Sequence, residues 1–135
     1  EEAASFQDAF DAAGLALVML ASPTTTDERA AMLCARAQGY LYYVSYAGVT
    51  GADHLDAGVA GQRLAQLRAA ARVPVVAGFG IKDAASAAAM AVDADGVVVG
   101  SALVAAMAGA ESPDKAAACA STFLAPLRQA LDASA

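Results

Sequence analysis

Histidine, cysteine and basic residues are scarce in this sequence of 135 residues. The single histidine, His54, excludes a metal site built from several histidines. The two cysteines, Cys34 and Cys119, lie far apart in alanine-rich stretches without a CxxC pair, which favours free buried thiols over a disulfide. Only eight lysines and arginines stand against 14 acidic residues, and no basic run offers a surface for nucleic acid.

Long apolar runs and a leader sequence are also missing. No apolar run reaches the roughly 20 residues that span a membrane. The first residues, EEAASFQ, lack the basic and apolar regions of a secretory signal. We therefore expect a cytoplasmic protein that contacts neither membrane nor nucleic acid. Because the chain does not begin with Met, we also expect it to be a piece of a longer chain.

Apolar residues make up 59% of the chain, which is enough for one buried core. They form four short runs, each followed by a helical segment, and these runs are the predicted strands: residues 15–20, 40–45, 74–77 and 96–99. Strands that are apolar throughout and alternate with helices predict a parallel sheet covered on both faces. Two α/β architectures fit, an open doubly wound sheet and part of a (β/α) barrel, which needs eight units and roughly 250 residues.

Helix signals separate the strands. The predicted helices cover residues 1–13, 26–38, 62–71, 83–92 and 101–108, with a last helix from residue 113 onward. A capping box with Thr25 as N-cap and Glu28 opens the second helix. Pro113 suits the first turn of the last helix, whereas Pro126 is predicted to bend or divide it. Residues 46–61 contain four glycines and no clear period, which predicts a long loop.

Two successive predicted strands end in glycine and run into a helix, in PVVAGFGIKD and GVVVGS. A glycine lets backbone N–H groups approach a ligand, and the helix N-terminus behind it carries partial positive charge. Two such ends favour a phosphate site over glycines that only make tight turns. GFGIKD also begins like the dinucleotide motif GxGxxG, but Asp83 replaces the third glycine and no acidic residue follows where the ribose needs one.

Four longer motifs resemble the tryptophan synthase alpha chain family. In chain order, LASPTTTDER, GYLYYVSYAGVTG, PVVAGFGI and ADGVVVGSALV resemble its fifth, sixth, seventh and eighth strand ends. The resemblance implies that residues 1–135 form a single α/β segment, the C-terminal half of a TIM (β/α)8 barrel with strands five to eight. Another phosphate-handling barrel enzyme, such as a prenyl-glyceryl-phosphate synthase or a pentose-phosphate epimerase, stays an alternative, although such barrels share only the pair of glycine-rich loops and the GVTG loop argues against them.

The resemblance also implies an activity. The family cleaves indole-3-glycerol phosphate to indole and glyceraldehyde 3-phosphate, a retro-aldol lyase step of tryptophan biosynthesis. Indole then passes to a partner beta chain that carries pyridoxal phosphate, so this chain is expected to hold no cofactor or metal. Four matching residues are implied to hold the substrate phosphate through their backbone N–H groups: Gly51, Gly80, Gly100 and Ser101. Gly78 lies in the same loop as Gly80. The indole pocket and the closing loop are implied to include Leu20, Tyr42, Thr50 and Phe79.

The catalytic acids of the family, a Glu and an Asp, belong to its second strand and second loop and are expected upstream of Glu1. None of the catalytic residues is therefore expected in this chain. A non-catalytic phosphate-binding half barrel stays an alternative, and its exposed strand edges would be covered if two copies paired.

Several polar and aromatic residues have simpler interpretations than catalysis. His54 is expected to be a solvated loop residue and Lys82 an exposed residue of a first helical turn. Asp83 is expected at a helix N-terminus, where a carboxylate complements the dipole. Asp93 and Asp95, in the turn before the fourth strand, are expected to stabilise the barrel. By alternation along its strand, Tyr43 is expected to pack in the core.

Overall fold

The computed structural model describes residues 2–44, 57–78 and 80–133. Four parallel strands form one sheet in the order β1-β2-β3-β4: β1 Met19–Ala21, β2 Leu41–Tyr43, β3 Val75–Ala77 and β4 Gly96–Val97. The helices are α1 Glu2–Ala12, α2 Asp27–Arg36, α3 Ala57–Ala70, α4 Ala84–Ala91, α5 Ser101–Met107 and α6 Pro113–Asp132. From β1 onward the chain thus alternates strand and helix, as the sequence predicts.

The two faces of the sheet differ in their cover. On one face, strand residues pack against α2 and α3 in a core that includes Leu41, Tyr43 and Val75, none of which is exposed. The opposite face carries an in-register row of four residues that are exposed or half-buried: Leu20, Tyr42, Val76 and Gly96. The expectation of cover on both faces is therefore wrong for the described residues. In a (β/α) barrel, this second face is the interior, which strands from around the whole barrel fill together.

A second core cluster forms around α4 and α6. Ile81, Ala87 and Leu127 are buried there, with Phe123 packed against them. Of the two predicted effects of Pro126, a bend or a division of the last helix, the division does not occur, because α6 runs as one helix of 20 residues. Proline removes one backbone hydrogen bond from a helix, while the nearby Leu127 and Phe123 side chains lie in the core cluster with α4.

The first strand begins later than predicted. Leu15 is 57% exposed, and the N–H of Leu17 donates to the Gln38 side-chain oxygen at 3.0 Å instead of to a neighbouring strand. Apolar composition alone does not reveal this, since the bond joins residues far apart in sequence. The fourth strand ends at Val97, two residues earlier than predicted, although the Val98 N–H still donates to the Ala77 carbonyl at 2.9 Å.

Two helix starts also differ from the prediction. Thr26, not Thr25, is the N-cap of α2, and its hydroxyl accepts from the Arg29 N–H at 3.3 Å. The Thr25 hydroxyl is engaged by the Ser22 N–H at 2.9 Å, which explains the shift by one residue. Helix α3 begins at Ala57, so the predicted loop 46–61 is wrong over its last five residues, and the rest of it lies outside the described residues.

Other helix signals are confirmed. Asp83 caps α4 in a full capping box with Ser86, whose N–H donates to the Asp83 carboxylate at 2.8 Å. Ser112 caps α6, with Pro113 in its first turn. Across the part of the chain that the structure describes, no helix combines the length and the apolar character needed to cross a membrane.

Candidate functional site

The carboxyl ends of all four strands lie at one edge of the sheet because the strands are parallel. We call this the carboxyl edge. Four of the predicted site residues lie at or just beyond it, following two neighbouring strands: Gly78 and Gly80 after β3, and Gly100 and Ser101 after β4. Leu20 and Tyr42 lie one residue inside the ends of β1 and β2, paired in register.

Tyr42 and Gly78 are in direct contact at this edge. The Tyr42 hydroxyl donates to the Gly78 carbonyl at 3.2 Å. A Cβ atom built on Gly78 would lie 2.5 Å from the Tyr42 hydroxyl oxygen and 2.9 Å from Cβ of Val98. The Gly78 N–H also donates to the Tyr43 carbonyl at 3.1 Å. Gly78 therefore lacks a side chain for a steric reason, since Tyr42 and Val98 occupy the space from two sides.

Residues 80–83 form a turn that leads into α4. Gly80 has φ +67°, a left-handed conformation that a side chain disfavours. Ile81 then turns into the core, and the N–H groups of Lys82 and Asp83 both donate to the Ser86 hydroxyl at 3.1 Å. The capping box thus anchors the far end of the turn, while Gly80 stays at the surface.

The second glycine-ended strand leads into α5. Gly100 is the N-cap of α5 and has no side chain to satisfy the first N–H groups of the helix. Gly100 and Ser101 are both exposed, and no atom lies within 4 Å of a Cβ built on Gly100. These first-turn N–H groups are the kind of donors that bind an anion at a helix start.

Leu20 has an unusual exposure for a strand leucine. It is 60% exposed, although its neighbours in β1, Met19 and Ala21, are buried at 8% and 2%. Leu20 and Tyr42 share the open face of the sheet. This face presents apolar and aromatic surface next to the glycine-rich ends of β3 and β4, a combination that suits a ligand with an apolar ring and a phosphate.

Three predicted site residues, Gly51, Thr50 and Phe79, lie outside the described residues, as does His54. Their implied roles stay predictions. Lys82 is exposed, as expected for a residue that precedes a helix cap.

An arginine near this edge was not identified from the sequence. Arg63, on α3, donates to the Thr25 carbonyl at 2.6 Å and to the Asp27 carboxylate at 2.6 Å. Its side chain is 16% exposed, whereas that of Asp27 is 95% exposed. The partners are separated by 36 and 38 residues in sequence. No local pattern predicts such a pair.

The charge of Arg63 acts on two buried groups, the Tyr43 hydroxyl and the Cys34 thiol. Burial raises the pKa of the Tyr43 hydroxyl and of the Cys34 thiol, and the nearby guanidinium partly opposes both shifts. The Tyr43 hydroxyl is fully buried and has no hydrogen-bond partner among residues 2–44, 57–78 and 80–133. Tyr43 is therefore a core residue, as expected, and no described residue pairs with its hydroxyl.

The opposite end of the sheet holds a different cluster. The Asp95 carboxylate accepts from the Val75 N–H at 2.8 Å and from Arg68 at 2.8 Å and 3.0 Å. The Asp95 N–H in turn donates to the Val75 carbonyl at 2.8 Å. These contacts join α3, β3 and the start of β4, which agrees with a stabilising role for Asp95.

Two further features of the described residues bear on ligands. No group of three or more metal-ligating side chains occurs among them. A groove of about 230 Å³ lies between α2 and α3, lined by residues that include Ala30, Cys34, Arg63 and Leu67. It belongs to the helix layer, while the predicted site residues belong to the strand ends.

Comparisons with known proteins identify the family of this chain. A family model described as "Tryptophan synthase alpha chain" matches residues 1–132. The tryptophan synthase alpha chain of Xylella fastidiosa is 67% identical over 133 residues, which are 98% of this chain and 50% of that protein. The chain thus spans about half the length of the curated relatives that it matches.

Solved structures give the same result for the fold. The tryptophan synthase alpha subunit of Legionella pneumophila superposes with a TM-score of 0.75 at 35% identity, over 94% of this chain and 46% of that one. A chain of the tryptophan synthase complex of Pyrococcus furiosus gives a TM-score of 0.73 at 27% identity, over 93% and 48%. The predicted fold, half of a TIM barrel, is confirmed, and the doubly wound alternative is excluded. This chain belongs to the tryptophan synthase alpha chain family.

Proposed function

We propose that this chain supplies the phosphate-binding site and part of the indole pocket of a lyase that cleaves indole-3-glycerol phosphate to indole and glyceraldehyde 3-phosphate. The observation that carries the proposal is the placement of Gly80, Gly100 and Ser101 after adjacent strands, beside the open face that bears Leu20 and Tyr42. Family membership adds the substrate and the reaction class.

In this proposal, backbone N–H groups hold the phosphate of the substrate without help from a lysine. Gly80 and the exposed start of α5 present them from the ends of β3 and β4. Gly51 is proposed to add a third contact, with Gly78 shaping the β3 end. Donors fixed in the backbone need no rearrangement when the ligand arrives, which favours tight orientation of the phosphate.

The indole ring is proposed to lie on the open sheet face. Leu20 supplies exposed apolar surface there, and Tyr42 flanks it with an aromatic ring whose hydroxyl is engaged by Gly78. Phe79 and Thr50 are proposed to complete the pocket and to close it. Closure excludes water while protons move to the ring and from the glycerol hydroxyl. The acid and base for these steps are proposed to reside in the part of the family's length that this chain does not span.

We also propose a cytoplasmic location and a tryptophan synthase beta chain as partner. Pyridoxal phosphate bound to that partner would supply the chemistry that consumes indole, and no step in this chain uses it. Co-elution of the beta chain with a protein that contains this segment is the expected result. Separate elution at micromolar concentrations would contradict the partnership.

A fusion protein tests the activity. This chain would be joined to the portion of the Xylella fastidiosa alpha chain that it does not span, and indole release from indole-3-glycerol phosphate would be measured. We expect indole from the fusion. A fusion with native-like circular dichroism that forms no indole, alone or with the beta chain, would overturn the proposed function.

Two variants of the same fusion protein test the phosphate-binding site. Gly80→Ala forces a side chain into a left-handed conformation, so we expect the KM for substrate to rise about tenfold. Lys82→Ala is the matched control, because Lys82 is an exposed residue in the same turn. Equal KM values for the two variants would contradict a role of Gly80 in binding.

A further inference from the structure

Arg63 links two neighbouring strand–helix units. It lies on α3, yet its guanidinium reaches the loop of residues 22–26 between β1 and α2, which we call the β1–α2 loop. One terminal nitrogen donates to the Thr25 carbonyl at 2.6 Å, and the other donates to Asp27 at 2.6 Å and to Gln66 at 3.0 Å. Both terminal nitrogens of the side chain are therefore engaged.

Thr25 is the residue of the β1–α2 loop whose backbone Arg63 binds. Its carbonyl is held by Arg63, and its hydroxyl accepts from the Ser22 N–H at 2.9 Å. The Ser22 hydroxyl lies 3.3 Å from the Thr25 hydroxyl. Ser22 follows Leu20 by two residues, and the Ala21 carbonyl between them accepts from the Val44 N–H at 2.9 Å. A continuous set of bonds thus runs from Arg63 to the end of β1.

The attraction between Arg63 and Asp27 does not explain why the arginine is placed here. The Asp27 carboxylate is almost fully exposed, and water and salt screen ion pairs of that kind. The Arg63 side chain is largely buried and lines the same groove as Cys34, so its charge needs the Thr25 carbonyl as a partner. A planar guanidinium fixes direction as well as distance, which a flexible ammonium does not.

We propose that Arg63 is a positioning residue that holds the β1–α2 loop through Thr25 and thereby sets where Leu20 borders the substrate pocket. This inference rests on the proposed function, because the pocket is defined by it. Arg63 makes no contact with substrate in this proposal and acts only through the backbone of the neighbouring unit.

The test uses three variants of the fusion protein. Arg63→Met keeps an unbranched side chain of similar length but removes every donor. Arg63→Lys keeps the charge and one group able to reach the Thr25 carbonyl. Asp27→Asn is the matched control, because it removes the exposed ion pair and leaves the bond to Thr25 in place. Amide hydrogen exchange of Ser22 and steady-state kinetics are measured for each.

The expected results differ between the variants. In Arg63→Met, the Ser22 amide exchanges at least about tenfold faster, because Thr25 is released. The KM for indole-3-glycerol phosphate rises about fivefold while kcat stays within about twofold, as expected when a binding surface shifts but the reacting groups do not. Arg63→Lys restores part of both changes, and Asp27→Asn alters neither.

Each contrary result has one meaning. Unchanged Ser22 exchange in Arg63→Met would overturn the link to the loop, whether or not the fusion makes indole. Faster exchange with unchanged KM, or a loss confined to thermal stability, would overturn the effect on the pocket. A parent fusion that makes no indole would contradict the proposed function instead, and the exchange measurement would still decide the role of Arg63 in the loop.

Discussion

Tyr42 and Gly78 are mutually dependent: the tyrosine hydroxyl donates to the glycine carbonyl at 3.2 Å across space that a side chain at residue 78 would fill. The contact joins β2 to the end of β3 at the point where the predicted phosphate loop begins. It gives Gly78 a steric reason for being glycine. Phosphate binding therefore need not account for that glycine.

A double-mutant cycle on this pair has a defined outcome. Gly78→Ala should destabilise the protein by about 1–3 kcal/mol, because the added methyl group overlaps Tyr42 and Val98. Tyr42→Phe alone should cost about 1 kcal/mol for the lost hydrogen bond. The double variant should be more stable than the sum of the two costs predicts, by about 1 kcal/mol, because removing the hydroxyl makes room for the methyl group.

Urea unfolding of the three variants measures the coupling. Gly109→Ala is the control, since Gly109 lies outside the helices, has no left-handed φ, and a Cβ built on it meets no atom within 4 Å. Strict additivity of the Gly78 and Tyr42 changes would show that the two residues do not share space in solution.

Tyr43 is the next residue of β2, and replacing it by phenylalanine should change the free energy of unfolding in the opposite direction to Tyr42→Phe. Its hydroxyl is buried and no residue in the described part of the chain pairs with it, and an unpaired buried hydroxyl costs free energy in the folded state. Tyr43→Phe should therefore raise the free energy of unfolding by about 1 kcal/mol. Tyr42→Phe, which loses a hydrogen bond, is the matched comparison. A destabilised Tyr43→Phe would show that the hydroxyl has a hydrogen-bond partner in solution.

Much of the fold follows from local sequence, because apolar runs of four to six residues separated by helices permit few other arrangements. The start of β1 does not, since Gln38 binds Leu17 from a distant part of the chain. The N-cap of α2 is displaced to Thr26 for a similar reason, as Thr25 is already engaged by Ser22. Local patterns identify the elements, and long-range hydrogen bonds decide where some of them begin.

The candidate site follows the same division: local motifs in the sequence indicate some of its residues, and long-range contacts determine others. The glycines at the ends of β3 and β4 predict a phosphate site from a single sequence, and the motif around Tyr42 indicates the family. Arg63 does not, because its function depends on residues more than 30 positions away. The open sheet face was also missed: apolar strands look the same whether one face or both are covered.

The contacts of Asp95 predict a graded loss of stability. Asp95→Ala removes the ion pair with Arg68 and leaves the N–H of buried Val75 without an acceptor, which should cost about 2–3 kcal/mol. Arg68→Ala removes only the half-exposed ion pair, and the expected loss is about 0.5 kcal/mol. Thermal or urea unfolding would rank them. Equal losses would show that the bond to Val75 contributes nothing, contrary to the geometry.

Asp83 predicts a pH dependence. Its carboxylate accepts from the Ser86 hydroxyl and the Ser86 N–H, and these bonds lower its pKa below the ordinary value, with a smaller contribution from Lys82. A lowered pKa in the folded state means that the unfolded chain binds protons more readily. The stabilisation is therefore fully present above a pH of about 4 and is lost as the pH falls through the folded pKa.

Asp83→Ser isolates this contribution, because serine is also a good N-cap but does not titrate in this range. The parent protein should lose more stability than Asp83→Ser between pH of about 5 and 2, and the two should differ little at neutral pH. Unfolding curves at matched ionic strength over that range would provide the comparison. Parallel losses in the two proteins would mean that the Asp83 carboxylate gains nothing from Ser86 in the folded state, and that acid destabilisation arises at other carboxylates.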